Sequence, residues 1–108
     1  MQESMVIISN VPDTETANRI AQALVGRQLA ACVNILPGVQ SVYRWQGKVE
    51  QAQEISLFIK TRRACYAAVE AAIGELHPYD VPEIIALPIN GGLPKYLEWL
   101  AQETAPPG

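Results

Sequence analysis

Residues 39–62 read VQSVYRWQGKVEQAQEISLFIKTR, and no other stretch limits the fold as strongly. Val39, Ser41, Tyr43 and Trp45 fall at every second position, Gln46-Gly47 is a two-residue turn signal, and Ile55, Leu57 and Ile59 alternate again, so the spacing predicts a β-hairpin. A single strand over residues 48–61 would reach roughly 45 Å at ~3.3 Å per residue. A body of this chain length is only about 35 Å across, from an expected radius of gyration of ~13 Å. The hairpin must therefore bend, bulge near Glu50–Glu54, or project. A projecting hairpin exposes strand edges and the Tyr43 and Trp45 rings, surface that single molecules avoid. Further copies of the chain are the expected cover. Trp99, off the Leu93, Leu97 and Leu100 stripe, points the same way.

The remaining elements follow from local pattern. Met5–Ile8 is a short apolar run expected as a covered strand. Asp13 is a candidate N-cap, followed by Ala17, Ile20, Ala21, Leu24 and Val25 on one helical face, with Gly26 ending or loosening the helix. Residues 31–36, ACVNIL, read as a strand stopped by Pro37-Gly38. Tyr66, Val69, Ile73 and Leu76 predict a second helix from about Arg63 to Leu76. PEIIALPIN at 82–90 is a strand, Gly91-Gly92 a turn, and LPKYLEWLAQE a final helix with Leu93, Leu97 and Leu100 inward. Residues 104–108, TAPPG, are expected to be a disordered tail. The order β-α-β-β-α-β plus a helix is that of an α+β, ferredoxin-like split β-α-β fold with an antiparallel sheet. One domain over 1–108 accommodates all of it.

Composition narrows the function. Eight basic against eleven acidic residues give a net charge of −3, and the basic residues form no stripe, which argues against nucleic acid. No run approaches the ~20 apolar residues of a membrane span. The N-terminal MQESMVIIS lacks a signal-peptide pattern, and a cytoplasmic location is expected. Cys32 and Cys65 each lie within apolar runs and read as buried, reduced thiols.

LAACVNILPGVQSVYRWQGKVE, EISLFIKT, HPYDVPEIIALPI and YLEWL, in that order and spacing, resemble the CutA family of divalent-cation tolerance proteins from Val6 to about Glu103. The resemblance implies a ferredoxin-like homotrimer whose long hairpins pair between subunits. It also implies a link to copper and other divalent metals, and no enzymatic activity. The architecture is similar to that of the PII signalling proteins. Copper-associated members place a cysteine late in the first strand and a second histidine before the His-Pro-Tyr. Here those positions hold Ser9 and Leu76, so only His77 of that set carries over.

His77, the single histidine, carries the first candidate chemistry. Pro78 and Pro82 push the residues before them out of helical geometry, so HPYDVPEI ends a helix and starts a strand. As a metal site, His77 would lead with Glu83 or Asp80 assisting and Cys32 more remote, a donor set suited to copper or zinc. A tight site needs three or four donors, which one histidine supplies only if subunits share them. The second candidate is a ligand cleft between subunits with Lys60 as anion-binding cation, Tyr79 and Trp45 as walls, and Glu83 beside them. The first implies metal homeostasis; the second implies a PII-like sensor of small anions in signal transduction, without physiological metal binding. No catalytic triad can be assembled around the lone histidine.

Overall fold

The computed structural model describes residues 3–105. Its elements are β1 (Ser4–Val11), α1 (Thr14–Gly26), β2 (Cys32–Trp45), β3 (Lys48–Arg62), a single 3-10 turn (Arg63–Cys65), α2 (Tyr66–Leu76), β4 (Ile84–Pro88) and α3 (Pro94–Gln102). The four strands form one antiparallel sheet in the order β2-β3-β1-β4, the ferredoxin-like arrangement expected from the order of elements.

The alternation in β1 sorts the two sheet faces. Met5, Ile7, Ser9 and Val11 are buried, and with Ile55, Leu57 and Ile59 of β3 they receive Ala17, Ile20 and Leu24 of α1 and Val69, Ala72 and Ile73 of α2. The opposite face is built in rows across the strands. Cys32, Lys60, Val6 and Leu87 form one row, and Asn34, Phe58, Ile8 and Ile85 the next. That face is only half-buried at Val6, Ile8 and Phe58, with Ile85 and Leu87 exposed.

The hairpin is longer than two separate strands would be. Pro37-Gly38 does not stop β2. The ladder runs from Cys32↔Lys60 to Trp45↔Lys48, and the irregularity lies between Leu36 and Val39 in β2, not within Glu50–Glu54 of β3. Leu36 faces Ser56 and Val39 faces Glu54, so Pro37 and Gly38 together oppose Ile55. This is a β-bulge, with Gly38 at φ +77° supplying the left-handed backbone such a site requires. Proline lacks an N–H to donate, and an edge-strand bulge tolerates that loss. At the tip, Gln46 (φ 49°) and Gly47 (φ 79°) have the paired positive φ of a type I′ turn, whose twist matches the strands. The molecule measures 44 × 26 × 22 Å; the arm projects, as strand length requires.

The helix ends add detail to the expectation. α1 ends at Gly26, and the left-handed residue beyond it is Gln28 (φ 59°). Leu29 N–H bonds Leu24 O at 2.9 Å and Gln28 N–H bonds Val25 O at 3.0 Å, the pair of bonds of a Schellman cap. That turn swings Leu29 into the core against Leu24 and leaves Val25 exposed. Arg63–Cys65 form the 3-10 turn ahead of α2. Leu93 precedes α3 and is 70% exposed; of the expected stripe only Leu100 is fully buried. The C-terminal segment also departs from a disordered tail at its first residue. Thr104 is 4% exposed, accepts from Arg62 Nε at 2.6 Å and donates to Leu100 O at 3.0 Å, while Ala105 N–H bonds Gln28 O at 2.8 Å. The rest of that tail, 106–108, lies outside the described residues.

Two outcomes test this framework. A methyl group at Gly38 would meet nothing within 4 Å, so Gly38→Ala isolates the backbone cost of left-handed geometry. Chemical unfolding should show a loss of about 1 kcal/mol; no loss would mean that the bulge does not require this φ. Asp13 caps α1 by accepting from Thr16 N–H at 2.8 Å, and that hydrogen bond holds its carboxyl below the usual carboxylate range. A lowered folded-state pKa gives stability that is complete above the unfolded value near 3.8 and is lost as pH falls through the folded value. Asp13→Ala should therefore unfold more readily than the parent at neutral pH, with the gap closing in acid; a pH-independent gap would refute the charged cap.

Candidate functional site

The bulge sets the phase of everything beyond it. Before it, Cys32, Asn34 and Leu36 face away from the helices; after it, the odd residues Val39, Ser41, Tyr43 and Trp45 do so, opposite Glu54, Ala52, Glu50 and Lys48. One inserted residue exchanges the faces of a strand. Tyr43 and Trp45 thus stand on the same side as Glu54 and, at the end of β1, Asn10.

The segment between α2 and β4 closes this region from the other side, and His77 fixes it. His77 leaves the helix in extended geometry (φ −85°, ψ 136°), as the following proline demands. The residue is 7% exposed. Nδ1 accepts the Tyr79 N–H at 3.1 Å, so Nε2 carries the proton and donates to Asn10 O at 2.7 Å. The ring also lies 4.7 Å from that of Tyr79. The histidine staples the 77–83 segment to the end of β1.

A groove of about 560 Å³ results, lined from β2 by Ser41, Val42, Tyr43 and Trp45, from β1 and β3 by Asn10 and Glu54, and from the segment by Tyr79, Asp80, Val81 and Glu83. Two of its three carboxylates, Glu83 and Glu54, are tethered. Glu83 accepts from Asn10 Nδ2 at 3.1 Å, Asn10 Oδ1 accepts from Ser56 Oγ at 2.6 Å, and Glu54 accepts from the Tyr79 hydroxyl at 3.3 Å. Burial, then the Glu54 charge and that hydrogen bond, raise the Tyr79 phenol above the ordinary tyrosine range, so it remains a donor. Among the described residues no lysine or arginine lines the groove.

One chain thus brings some of the sequence-derived site residues together and keeps others apart. Tyr79, Trp45 and Glu83 share the groove, joined by Asp80. Lys60 does not: its ammonium bonds Asn34 Oδ1, six residues along β3 from Glu54, roughly 20 Å of strand. Within one chain, Lys60 is not brought to Tyr79 and Trp45. His77 is no leading metal donor in this arrangement, because both ring nitrogens are spent on backbone groups. Cys32 is half-buried, not fully buried, and sits with Asn34 in the Lys60 cluster. Among the described residues no three His, Cys, Asp or Glu side chains come together to hold a metal ion. The donors of one chain therefore do not fit the closed three- or four-donor shell that tight copper or zinc binding needs. Residue reading missed Asn10, Glu54 and Tyr43 as groove members; Asn10, a polar residue ending an apolar strand, was the available signal.

Fold and groove together define a ferredoxin-like α+β protein with an open, acidic, aromatic-walled surface site. Residues 5–103 match the model of the CutA1 divalent ion tolerance protein family. The chain is 50% identical over 99 residues to the divalent-cation tolerance protein CutA of Thermus thermophilus, covering 92% of this chain and 96% of that one. It is 48% identical over 101 residues to the chloroplastic protein CutA of Arabidopsis thaliana, covering 94% of this chain but 56% of the relative. The chain thus spans little more than half the length of that plant relative. Among solved structures, the Thermus thermophilus divalent cation tolerance protein superposes with a TM-score of 0.92 at 48% identity, covering 97% of this chain and all of that one. CutA1 of Oryza sativa gives 0.93 at 48% identity, with 95% and 94% covered. This chain belongs to the CutA1 divalent ion tolerance family. Among the described residues no helix is long and apolar enough to cross a membrane.

Ser9 offers a direct check on the site's surroundings. Its hydroxyl is fully buried between Leu57 and Ile84 and has no hydrogen-bond partner among the described residues. Leaving a buried hydroxyl unmatched is costly, so Ser9→Ala should raise stability by about 1 kcal/mol in urea unfolding. A loss of stability on this substitution would show that the hydroxyl has a partner in solution.

Proposed function

We propose that this chain is a non-enzymatic, homotrimeric binding protein in divalent-cation tolerance, acting through ligand grooves at its subunit seams rather than through a closed metal centre. The observation that carries this reading is the projecting arm. Beyond the bulge, β3 pairs with β2 alone, because β1 reaches only Ile55. The Lys48–Glu54 edge on that side has no strand beside it, and Val42, Tyr43, Trp45 and Val49 are all exposed around it. A flat edge with apolar neighbours is a template for another strand. The half-buried apolar rows on the helix-free sheet face support the same assembly. The groove lies at the root of the arm, so docking of another copy bears directly on it.

Metal enters this proposal as a weakly held species. Glu54, Asp80 and Glu83 attract cations electrostatically, but they do not converge on one point. The signalling alternative, a sensor of small anions, lacks a basic residue in the groove and has its lysine committed elsewhere.

Sedimentation equilibrium at micromolar concentration and neutral pH should give about three times the 11.8 kDa chain mass; a folded monomer would overturn the assembly. Titration with zinc to one equivalent, followed by the ring resonances of His77, should leave them in place, and copper calorimetry should show no stoichiometric high-affinity step. Displacement of the His77 resonances at one equivalent would restore that residue as a metal ligand.

A further inference from the structure

We infer that Asn90 is a self-modification site, where the backbone nitrogen of Gly91 converts the asparagine to aspartate and isoaspartate in the folded protein. The chain has four asparagines, Asn10, Asn18, Asn34 and Asn90, and only the last meets the demands of that chemistry.

The reaction needs a side-chain carbonyl carbon that can swing onto the next residue's nitrogen, a nitrogen whose proton no partner holds, and little bulk around it. Asn10 and Asn34 lie in β1 and β2, and Asn18 lies inside α1, where the backbone is fixed by its ladder or helix bonds. Val11, Arg19 and Ile35 follow them, and the amide oxygens of Asn10 and Asn34 accept from Ser56 and Lys60. Asn90 differs on every count. It sits between β4 and α3, outside any helix, strand or turn, and both it and Gly91 are exposed. Among the described residues neither makes a hydrogen bond. The nearest backbone tethers lie on either side: Ile89 N–H bonds Ser4 O at 3.0 Å and Leu97 N–H bonds Leu93 O at 3.0 Å. Rotation at Asn90 therefore breaks no backbone bond, and Gly91 has no Cβ to obstruct the approach.

The place of this segment keeps it apart from the surfaces given to assembly. Asn90 follows the sheet end where Ser4 pairs with Arg62, whereas the arm leaves beyond Val11↔Ile55. The length of β1 sets those two ends roughly 23 Å apart at ~3.3 Å per residue.

In the first step the Gly91 amide nitrogen gives its proton to base and bonds to the Asn90 Cγ. The bond from Cγ to the side-chain nitrogen breaks, and that nitrogen leaves as ammonia, closing a five-membered succinimide. Water then opens the ring. Cleavage between Cγ and the Gly91 nitrogen gives aspartate; cleavage between the Asn90 main-chain carbonyl carbon and that nitrogen gives isoaspartate. No oxidant or reductant takes part. Both products add a negative charge, and isoaspartate also inserts a methylene into the backbone between β4 and α3.

The test uses the purified, assembled full chain, aged in warm, mildly alkaline buffer and followed by peptide mass spectrometry. Asn90 should gain about 1 Da, the exchange of NH₂ for OH. Its rate should lie within about tenfold of that of a synthetic peptide of residues 86–96, because no structural opening precedes the attack. Asn10, Asn18 and Asn34 should convert at least about tenfold more slowly, since their elements must open first. Methyl transfer from S-adenosylmethionine by an isoaspartyl carboxyl methyltransferase should detect isoaspartate, which only ring opening produces. A methyl group at Gly91 would meet nothing within 4 Å, so Gly91→Ala should keep the fold while slowing the conversion about tenfold. Conversion more than about tenfold slower than in the peptide would show that the fold protects the site and would overturn the inference. Aspartate without isoaspartate, or an unchanged rate in Gly91→Ala, would overturn it as well. Sedimentation reads the assembly separately, so none of these outcomes bears on the proposed function.

Discussion

A single inserted residue governs how this molecule presents itself. In β2 the bulge at Pro37-Gly38 changes which side chains face away from the helices. Without it, an uninterrupted ladder would bring Tyr43 and Trp45 onto the face that α1 and α2 cover over the sheet body. There the arm has no helix to bury them. With it, both rings join Glu54 and Asn10, and the arm acquires an apolar stripe continuous with the helix-free face. Gly38 makes this geometry inexpensive because a positive φ carries no Cβ penalty. The same bulge gives the edge strand extra local twist, so one sequence position links hairpin shape, surface chemistry and groove.

His77 is the second fixed point, and its role is mechanical. A histidine that receives a backbone N–H on one nitrogen and gives a proton to a carbonyl from the other has no lone pair left for a metal. What it gains is placement: Tyr79 is held against Glu54, and Asp80 and Glu83 lie along the wall beside Asn10. Ser9 and Leu76 strengthen the argument. The first is a buried hydroxyl facing the helices and the second a half-buried leucine; neither adds a soft donor near the ring. The chemistry of this region resides in its carboxylates and rings, positioned by an imidazole.

Much of the architecture was legible from the residues. Alternation in Met5–Ile8 and Ile55–Ile59, the Gln46-Gly47 turn and the two helical stripes identify the strands, hairpin and helices, because each pattern matches one backbone period. The projection of the arm followed from strand rise against body size. What escaped were features that depend on nonlocal geometry. Pro37-Gly38 signals a strand end or a bulge equally well until the partner strand is known to continue. Gly26 is the last residue of α1, as expected, but the left-handed turn beyond it falls on Gln28, where Leu29 is buried against Leu24. Thr104 looked like tail, yet the Arg62 guanidinium reaches it from β3. Lys60 and Trp45 were expected to meet in a cleft between subunits; within one chain, strand length separates them. Tyr43, Glu54 and Asn10 entered the groove through the re-phased register, which residue spacing alone does not reveal.

The electrostatic character of the groove follows from where its tethers come from. Two of the three acids on the walls are held by neutral donors, Glu54 by a tyrosine hydroxyl and Glu83 by an asparagine amide. A neutral donor orients a carboxylate while leaving its charge uncompensated; a lysine or arginine would have done both. Several of the chain's basic residues are engaged elsewhere: Lys60 on Asn34, Arg62 on Thr104, Arg63 on Glu3, Arg19 on Glu15. A low-dielectric wall on one side and an open mouth on the other focus such unpaired charge, and aromatic rings facing the same space add their negative faces to it. The result is a surface that favours cations by its field and organic stems by its rings. In a family named for divalent-cation tolerance, the binding we propose therefore rests on a shaped, charged wall rather than on a coordination shell.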